Sequence, residues 1–393
     1  MTRNKTKAAT KVESETATKT VTRETDKKGR RPKSNGRNGS DSASLLVAQP
    51  VKGSRARKKS SSTPPAHSAT SKTAPNPMPG EWAREKPSPK DKRMGLVRLT
   101  LDEGVKTTVV GHIYGLDFEI DGKGHHARVF FDYYSKRLKV LHYEATDYRA
   151  MIHRLNWLAR ANHFDKIFFK ATKDDWQTFL TFGYVLEGIL RYYFRGEDAY
   201  VLSKFTTVER INSPDLIEEG ELIERLMGGS REYTPPPLPK GHSVVMATPS
   251  HIPQLVGLYR RVFETYPSPL THPDYLLQTM ERNVIYRVVT NEKGDIVSGA
   301  SAELDEKHGN AELTDCATKN AQRGNGLMFH ILRQLEQDLR DRGIMTAYSL
   351  ARAKSSGMNR VFYRLGYEFS GRLVNNCDIY GHFEDMNIWV KRL

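Results

Sequence analysis

Two stretches of the chain place their apolar side chains at helical spacing. Over Tyr148–Asn162, Met151, Ile152, Leu155, Leu158 and Ala159 fall on one face. Over Gly326–Arg342, Met328, Ile331, Leu332, Leu335 and Leu339 do the same. This spacing predicts two amphipathic helices, each with one buried stripe. A third stripe, Ile252, Leu255, Val256, Tyr259, Val262 and Phe263, follows Ser250. Ser250 is expected to cap that helix, with Pro253 tolerated in its first turn. Shorter helices are expected at Asp174–Thr181 and Met358–Leu365.

Between them lie short apolar runs bounded by Gly, Asp and Asn, which read as strands. They are Val105–Val110, Phe118–Ile120, Val129–Tyr134 and Lys166–Phe169, then Ser243–Met246, Val284–Val289, Ile296–Ala302, Ala311–Ala317, Met345–Leu350, Gly371–Ile379 and Asn387–Lys391. Alternation of strands and helices predicts a mixed-sheet α/β fold. The pattern breaks at Gly228-Gly229-Ser230 and at Pro235-Pro236-Pro237, since consecutive prolines stiffen a chain and continue neither a helix nor a central strand. Domains are therefore expected at 94–227 and 243–393, joined by a linker at 228–242.

Charge changes the picture for the first 93 residues. They hold 23 Lys and Arg against 8 Asp and Glu, whereas the remaining 300 residues hold 38 of each. The net charge of +15 thus belongs to a tail rich in Ser, Thr, Pro and Gly, too polar to build a core. That tail is expected to be disordered, and any nucleic-acid contact is expected to run through it alone. Cys316 and Cys377 are the only cysteines, too few for a disulfide framework or a thiolate metal site. No apolar run reaches the roughly 18–20 residues of a membrane span. A cytoplasmic protein without a metal is the expectation.

The candidate chemistry lies in Ala311–Arg342: a strand, the turn Gln322-Arg323-Gly324-Asn325-Gly326, then the long helix. A glycine turn at a helix N-terminus presents backbone N–H groups beside the positive end of the helix dipole, which is an anion site. With the element order and the ending Tyr363-Arg364-Leu365-Gly366-Tyr367, residues 243–393 resemble the GNAT acyltransferase superfamily. The resemblance implies acetyl-CoA as co-substrate, with its pyrophosphate on Arg323, Gly324, Asn325 and Gly326. It implies pantetheine pairing along Cys316-Ala317-Thr318 and Tyr363 as proton donor to the departing thiolate. Met328 and Ser356 stand where the superfamily often has a small residue and an asparagine.

A primary amine must lose a proton before it attacks a thioester, and a carboxylate can take it. Glu312 and Asp315 are the candidates. Strand alternation places them on opposite faces, so only one should reach the cleft unless a bulge intervenes.

A closer resemblance rests on Val262–Pro269, Asn310–Asp315, Leu373–Cys377, Phe383–Trp389, Asp132–Val140 and Gly183–Gly188. Over about residues 105–393 the chain resembles the β-lysine N-acetyltransferases. That family acetylates the ε-amine of β-lysine, the product of a lysine 2,3-aminomutase, to give the compatible solute Nε-acetyl-β-lysine. Such an acceptor requires a cation for its carboxylate and acids for its amines. Glu264, Tyr266, Arg352, Asn375 and Glu384 are the candidate acceptor contacts. The same fold could take a polyamine, an antibiotic amine or a protein lysine, or act as an aminoacyl-tRNA-linked transferase. Finally, Phe182–Gly188 echoes Leu365–Gly371, with the Gly-Tyr and the later Gly at equal spacing. The echo points to a degenerate GNAT-like half over residues 94–227, lacking the Arg-Gly-x-Gly turn.

Overall fold

The computed structural model describes residues 96–110 and 115–393, with the side chains of Leu96 and Val110 excepted. The basic tail lies outside the described residues. The first half runs β1 (Leu96–Asp102), β2 (Val105–Val110), β3 (Gly115–Gly122), β4 (His125–Asp132), β5 (Arg137–Ala145), α1 (Tyr148–Ala161), β6 (Lys166–Ala171), α2 (Trp176–Thr181), β7 (Val185–Phe194) and β8 (Glu197–Phe205). Two helices, α3 (Val208–Ile211) and α4 (Leu216–Met227), lead into the linker. The second half runs β9 (Ser243–Met246), α5 (Ile252–Val262), α6 (Pro273–Arg282), β10 (Val284–Thr290), β11 (Ile296–Asp305), β12 (Asn310–Thr318), α7 (Leu327–Asp341), β13 (Thr346–Arg352), α8 (Ser356–Arg364), β14 (Glu368–Ile379) and β15 (His382–Arg392).

The stripes predicted on α1 and α7 are buried at every named position. The third stripe is buried from Ile252 to Tyr259, while Val262 and Phe263 are half-buried. Ser250 does not cap α5. Thr248 forms a capping box with His251 instead, because a short 3₁₀ turn at Pro249–His251 moves the entry two residues upstream. Ser250 Oγ merely shares a hydrogen bond with the Thr248 hydroxyl, at 2.8 Å.

β1 and β2 form a separate hairpin, and the other strands form one 13-stranded sheet, ordered β3-β4-β5-β6-β8-β7-β14-β15-β13-β12-β11-β10-β9. The pairing directions repeat between halves. β3-β4-β5 is antiparallel, β5 runs parallel to β6, and β6-β8-β7 is antiparallel. Likewise β10-β11-β12 is antiparallel, β12 runs parallel to β13, and β13-β15-β14 is antiparallel.

The halves join where β7 meets β14, at Gly188 opposite Gly371. A shared apolar cluster continues the seam, with Phe168, Leu190 and Val201 packing against Tyr348, Leu373 and Ile388. Buried ion pairs lock its flank. Lys166 Nζ lies 2.8 Å from Glu187 Oε2 and donates to the Val374 carbonyl at 2.8 Å. Arg210 pairs with Asp165, donates to the carbonyls of Ser135 and Asn376, and stacks its guanidinium 3.6 Å over the Phe383 ring.

Candidate active site

β12 and β13 pair only at Asn310–Thr346, Ala311–Ala347 and Glu312–Tyr348. Beyond that rung β13 continues against β15, and β12 runs on to Thr318 with that edge open towards β13. Two parallel strands that part leave a V with unpaired backbone on one arm, which an extended amide chain can enter as an added strand. Cys316, Ala317 and Thr318 lie on that arm.

At the mouth of the V stands the N-terminus of α7. Gly324 has φ +85° and Gly326 φ +70°, both in the left-handed region. Gly326 is the N-cap, with no side-chain cap on the helix and no acidic residue in its first turn. Its amides and dipole therefore face no competing acceptor of their own helix, as an anion site requires. A Cβ on Gly326 would stand 3.1 Å from the Pro236 ring of the linker. Gly326→Ala is accordingly expected to weaken the binding of a phosphate-bearing ligand there about 10-fold by displacing the turn, an effect the size of one hydrogen bond to a charged group. Titration of wild type and variant with such a ligand checks it.

Asp315 does not follow strand alternation. Its φ of +55° and the register shift between Gly299 and Ser301 make it the bulged residue of β12. Glu312 therefore keeps the face it shares with Glu303, its cross-strand partner, while the bulge re-aims Asp315. Ser301 Oγ donates to Asp315 at 2.6 Å. Burial pushes the Asp315 carboxyl up to about 6, against the downward pull of hydrogen bonds from Ser301 and Tyr266. Burial also holds the phenols of Tyr259, Tyr266 and Tyr286 well above their usual range, so they remain neutral around that carboxylate.

Charged groups that the sequence reading passed over meet on this face of the sheet. Lys170 donates to the Tyr193 hydroxyl at 3.0 Å and to that of Tyr348 at 3.4 Å. Tyr348 in turn shares a hydrogen bond with Glu312. Burial, then the nearby Glu312 charge, raise the Glu303 carboxyl to about 7, and Lys139 pulls it down. The readable signal was an acid at an inward position of the otherwise small and apolar strand Ile296–Asp305, and a lysine between Leu138 and Val140.

The other candidates are scattered. Tyr266 packs its ring 4.3 Å from that of Phe263 and reaches Thr314 Oγ1 at 3.5 Å, so it belongs to the Asp315 neighbourhood. Glu264, two residues earlier, is exposed, and among the described residues no hydrogen bond or ion pair ties it to that neighbourhood. Arg352 and Glu384 pair with each other at 3.3 Å. Asn375 is buried at φ +44° and donates to the carbonyls of Arg210 and Asn212, which makes it part of the seam. Arg323 Nε donates to the Thr318 carbonyl at 3.4 Å, closing the turn back onto β12. The Tyr363 hydroxyl shares its proton between the Met227 carbonyl at the end of α4 and the Gly229 carbonyl of the linker, each at 3.1 Å. Asn359, which the motif did not flag, holds the carbonyls of Arg352, Ala353 and Ser355 and accepts from Trp389 Nε1 at 2.8 Å. It thereby fixes the start of α8. Among the described residues there is no His, Cys, Asp and Glu group arranged to hold a metal, and no helix long and apolar enough to cross a membrane.

Comparison with known proteins gives the chain's relatives. The profile of the Acetyltransferase (GNAT) family matches residues 253–367, which span α5 to the end of α8. A β-lysine N(6)-acetyltransferase of Methanosarcina mazei is 38% identical over 233 residues, covering 54% of this chain and 86% of that protein. N-acetyltransferase YodP of Bacillus subtilis is 34% identical over 266 residues, covering 67% of this chain and 94% of that protein. A β-lysine N(6)-acetyltransferase of Methanococcus maripaludis is 33% identical over 246 residues, covering 62% of this chain and 89% of that protein.

Proposed function

Because the chain belongs to the β-lysine N-acetyltransferase family of the GNAT superfamily, we propose that it acetylates the ε-amine of β-lysine. It is an N-acetyltransferase, and acetyl-CoA is its acyl donor. The observation that carries the reading is the bulge that turns Asp315 out of strand alternation, beside the open arm of the V and the uncapped turn of α7.

Acetyl-CoA supplies an activated acetyl thioester. The amides of Gly324, Asn325 and Gly326 bind its pyrophosphate, and the open edge of Cys316–Thr318 aligns its amide-bearing arm. Asp315 takes the proton that the ammonium must lose. A carboxylate near 6 is ionised at neutral pH, yet basic enough to accept it, the balance that general-base catalysis favours. The three surrounding phenols exclude water and add no charge. Tyr363 supplies the proton to the departing thiolate once its hydroxyl leaves the Met227 and Gly229 carbonyls, so linker position and proton delivery are coupled through one side chain.

The acceptor comes from a lysine 2,3-aminomutase reaction, and the product serves as a compatible solute. The first half acts as a second, GNAT-like wall of the acceptor site. Glu144 and Asp147 flank the start of α1, whose N-cap is the Asp147 side chain, so no anion site opens there. A thiol-release assay with acetyl-CoA tests the reading, comparing β-lysine, α-lysine and spermidine. The expected result is a kcat/KM at least 10-fold higher for β-lysine than for the others. Equal or better turnover of spermidine would reject the assignment.

A further inference from the structure

The first half brings five buried or half-buried cations to the seam, and four have partners. Arg137 pairs with Asp132 at 2.8 Å, Lys166 with Glu187 at 2.8 Å and Arg210 with Asp165 at 2.8 Å, while Lys170 sits on the hydroxyls of Tyr193 and Tyr348. Lys139 is the exception. Its ammonium rests 5.2 Å above the Phe130 ring, and among the described residues it makes neither hydrogen bond nor ion pair. Desolvation pulls it below the usual lysine range.

The acids across the seam show the same imbalance. Asp315 holds Ser301, Glu312 holds Tyr348 and Glu384 holds Arg352. Glu303 holds none of the described residues. Lys139 and Glu303 each feel the other's charge, yet they are not in contact as an ion pair.

Lys139 pairs with Phe168, two residues from Lys170, which donates to Tyr348; Tyr348 pairs with Glu312, and Glu312 with Glu303. A desolvated ammonium and a desolvated carboxylate at the two ends of this chain of contacts are costly unless something completes both. The species that does so carries a carboxylate for one and an ammonium for the other. We propose that Lys139, from the half without a coenzyme turn, binds the carboxylate of the acceptor, and that Glu303 binds the ammonium next to it. The pair reads the zwitterionic head of a free amino acid and leaves the far amine to reach Asp315. This rests on the function proposed above and names the residues that set its acceptor class. A polyamine would bring a cation against Lys139, and a lysine within a protein has no free carboxylate to offer it. The N-terminal half thus selects the acceptor, while the C-terminal half holds the donor.

The test compares wild type, Lys139→Met and Lys139→Arg, each with β-lysine and with 1,5-diaminopentane, and records the Tm of each. Lys139→Met is expected to reduce the preference for β-lysine over the diamine by about 10–100-fold, mainly through the KM for β-lysine, the size of a lost charged hydrogen bond. Lys139→Arg should restore part of that preference. The Tm of Lys139→Met should rise, since an unpartnered buried charge has been removed. A merely structural lysine would lower the Tm and reduce both substrates together, which overturns the proposal. An unchanged preference overturns it too, leaving the β-lysine assignment in place. Wild type that turns over the diamine but not β-lysine sinks the assignment and this proposal with it.

Discussion

Asp315→Asn is expected to lower kcat/KM for the acceptor by about 10²–10⁴-fold, the range that removal of a general base commonly costs. The pH profile identifies the group. At saturating acceptor, whose ammonium keeps Glu303 ionised and whose carboxylate keeps Lys139 charged, wild-type kcat should rise with pH towards about 6, where the Asp315 carboxyl gives up its proton, and then level off. The acceptor arrives as an ammonium with an ordinary pKa near ~10.4, so the profile should fall only above that value. In Asp315→Asn the limb near 6 should vanish. If Glu303 were the base, the limb would lie near 7 and persist in the variant. Glu312, Glu303, Ser301 and the phenols of Tyr259, Tyr266 and Tyr286 face Asp315, and all are retained.

Stability should move the opposite way. The Asp315 carboxyl is raised from 3.8 to about 6 by burial, so within that window the folded chain holds a proton that the unfolded chain has lost. Wild-type stability therefore falls as pH rises from 3.8 through 6, and the full penalty remains above it. Each pKa unit corresponds to about 1.4 kcal/mol, so asparagine should relieve a cost on the order of 3 kcal/mol at pH 8. Thermal melts at pH 4 and pH 8 check the sign. Asp315→Asn should be the more stable protein at pH 8 and lose that advantage at pH 4. A variant that is slower and less stable at both values would instead mark Asp315 as a structural residue.

What the sequence discloses follows from how local each feature is. The stripes of α1 and α7 are legible because a helix buries one face at a fixed period, whatever it packs against. The α7 turn is legible because its glycines sit side by side in the chain. Helices α4 and α6 were missed for local reasons of their own. Gly220 interrupts the first, and His272-Pro273 opens the second in a stretch that otherwise resembles a loop. The bulge at Asp315 has no signature in the residue types around it, so alternation alone left open which of Glu312 and Asp315 reaches the cleft. Lys139 and Lys170 lie on neighbouring strands of one half, and Glu303 and Glu312 on neighbouring strands of the other, with five strands between the two pairs in the sheet order. It is a contact across the seam, Lys170 to Tyr348, that links the two sets. Each appears in the sequence as an ordinary charge, and its lack or possession of a partner becomes visible only across the seam.

The seam itself supplies the largest expected loss of stability. Gly371 has φ +143°, and a Cβ there would lie 2.3 Å from the Glu187 carbonyl oxygen and 2.5 Å from the Gly188 Cα. Neither is the far end of a side chain that could swing away; both are backbone of the facing strand. Gly371→Ala must therefore pay for a disfavoured φ and also push β7 from β14 at their one paired rung. Strain of this kind costs about 1–3 kcal/mol and overpacking about as much again, so a loss of roughly 2–6 kcal/mol is expected. The Tm should fall by on the order of 10 °C. Gly188→Ala should behave alike, since its Cβ would meet the Ser370 carbonyl oxygen at 2.8 Å and the Ile388 side chain at 2.5 Å. These are the two glycines that align in the repeated Gly-Tyr segments, so the positions that match in sequence are the ones that touch in space. The double variant decides whether they act as one contact. Its loss should fall well short of the sum of the single losses, because the first Cβ already parts the strands and makes room for the second. Additive losses would mean that each glycine serves only its own half. The seam would then be held by Lys166, Glu187 and Arg210 rather than by the close approach of β7 and β14.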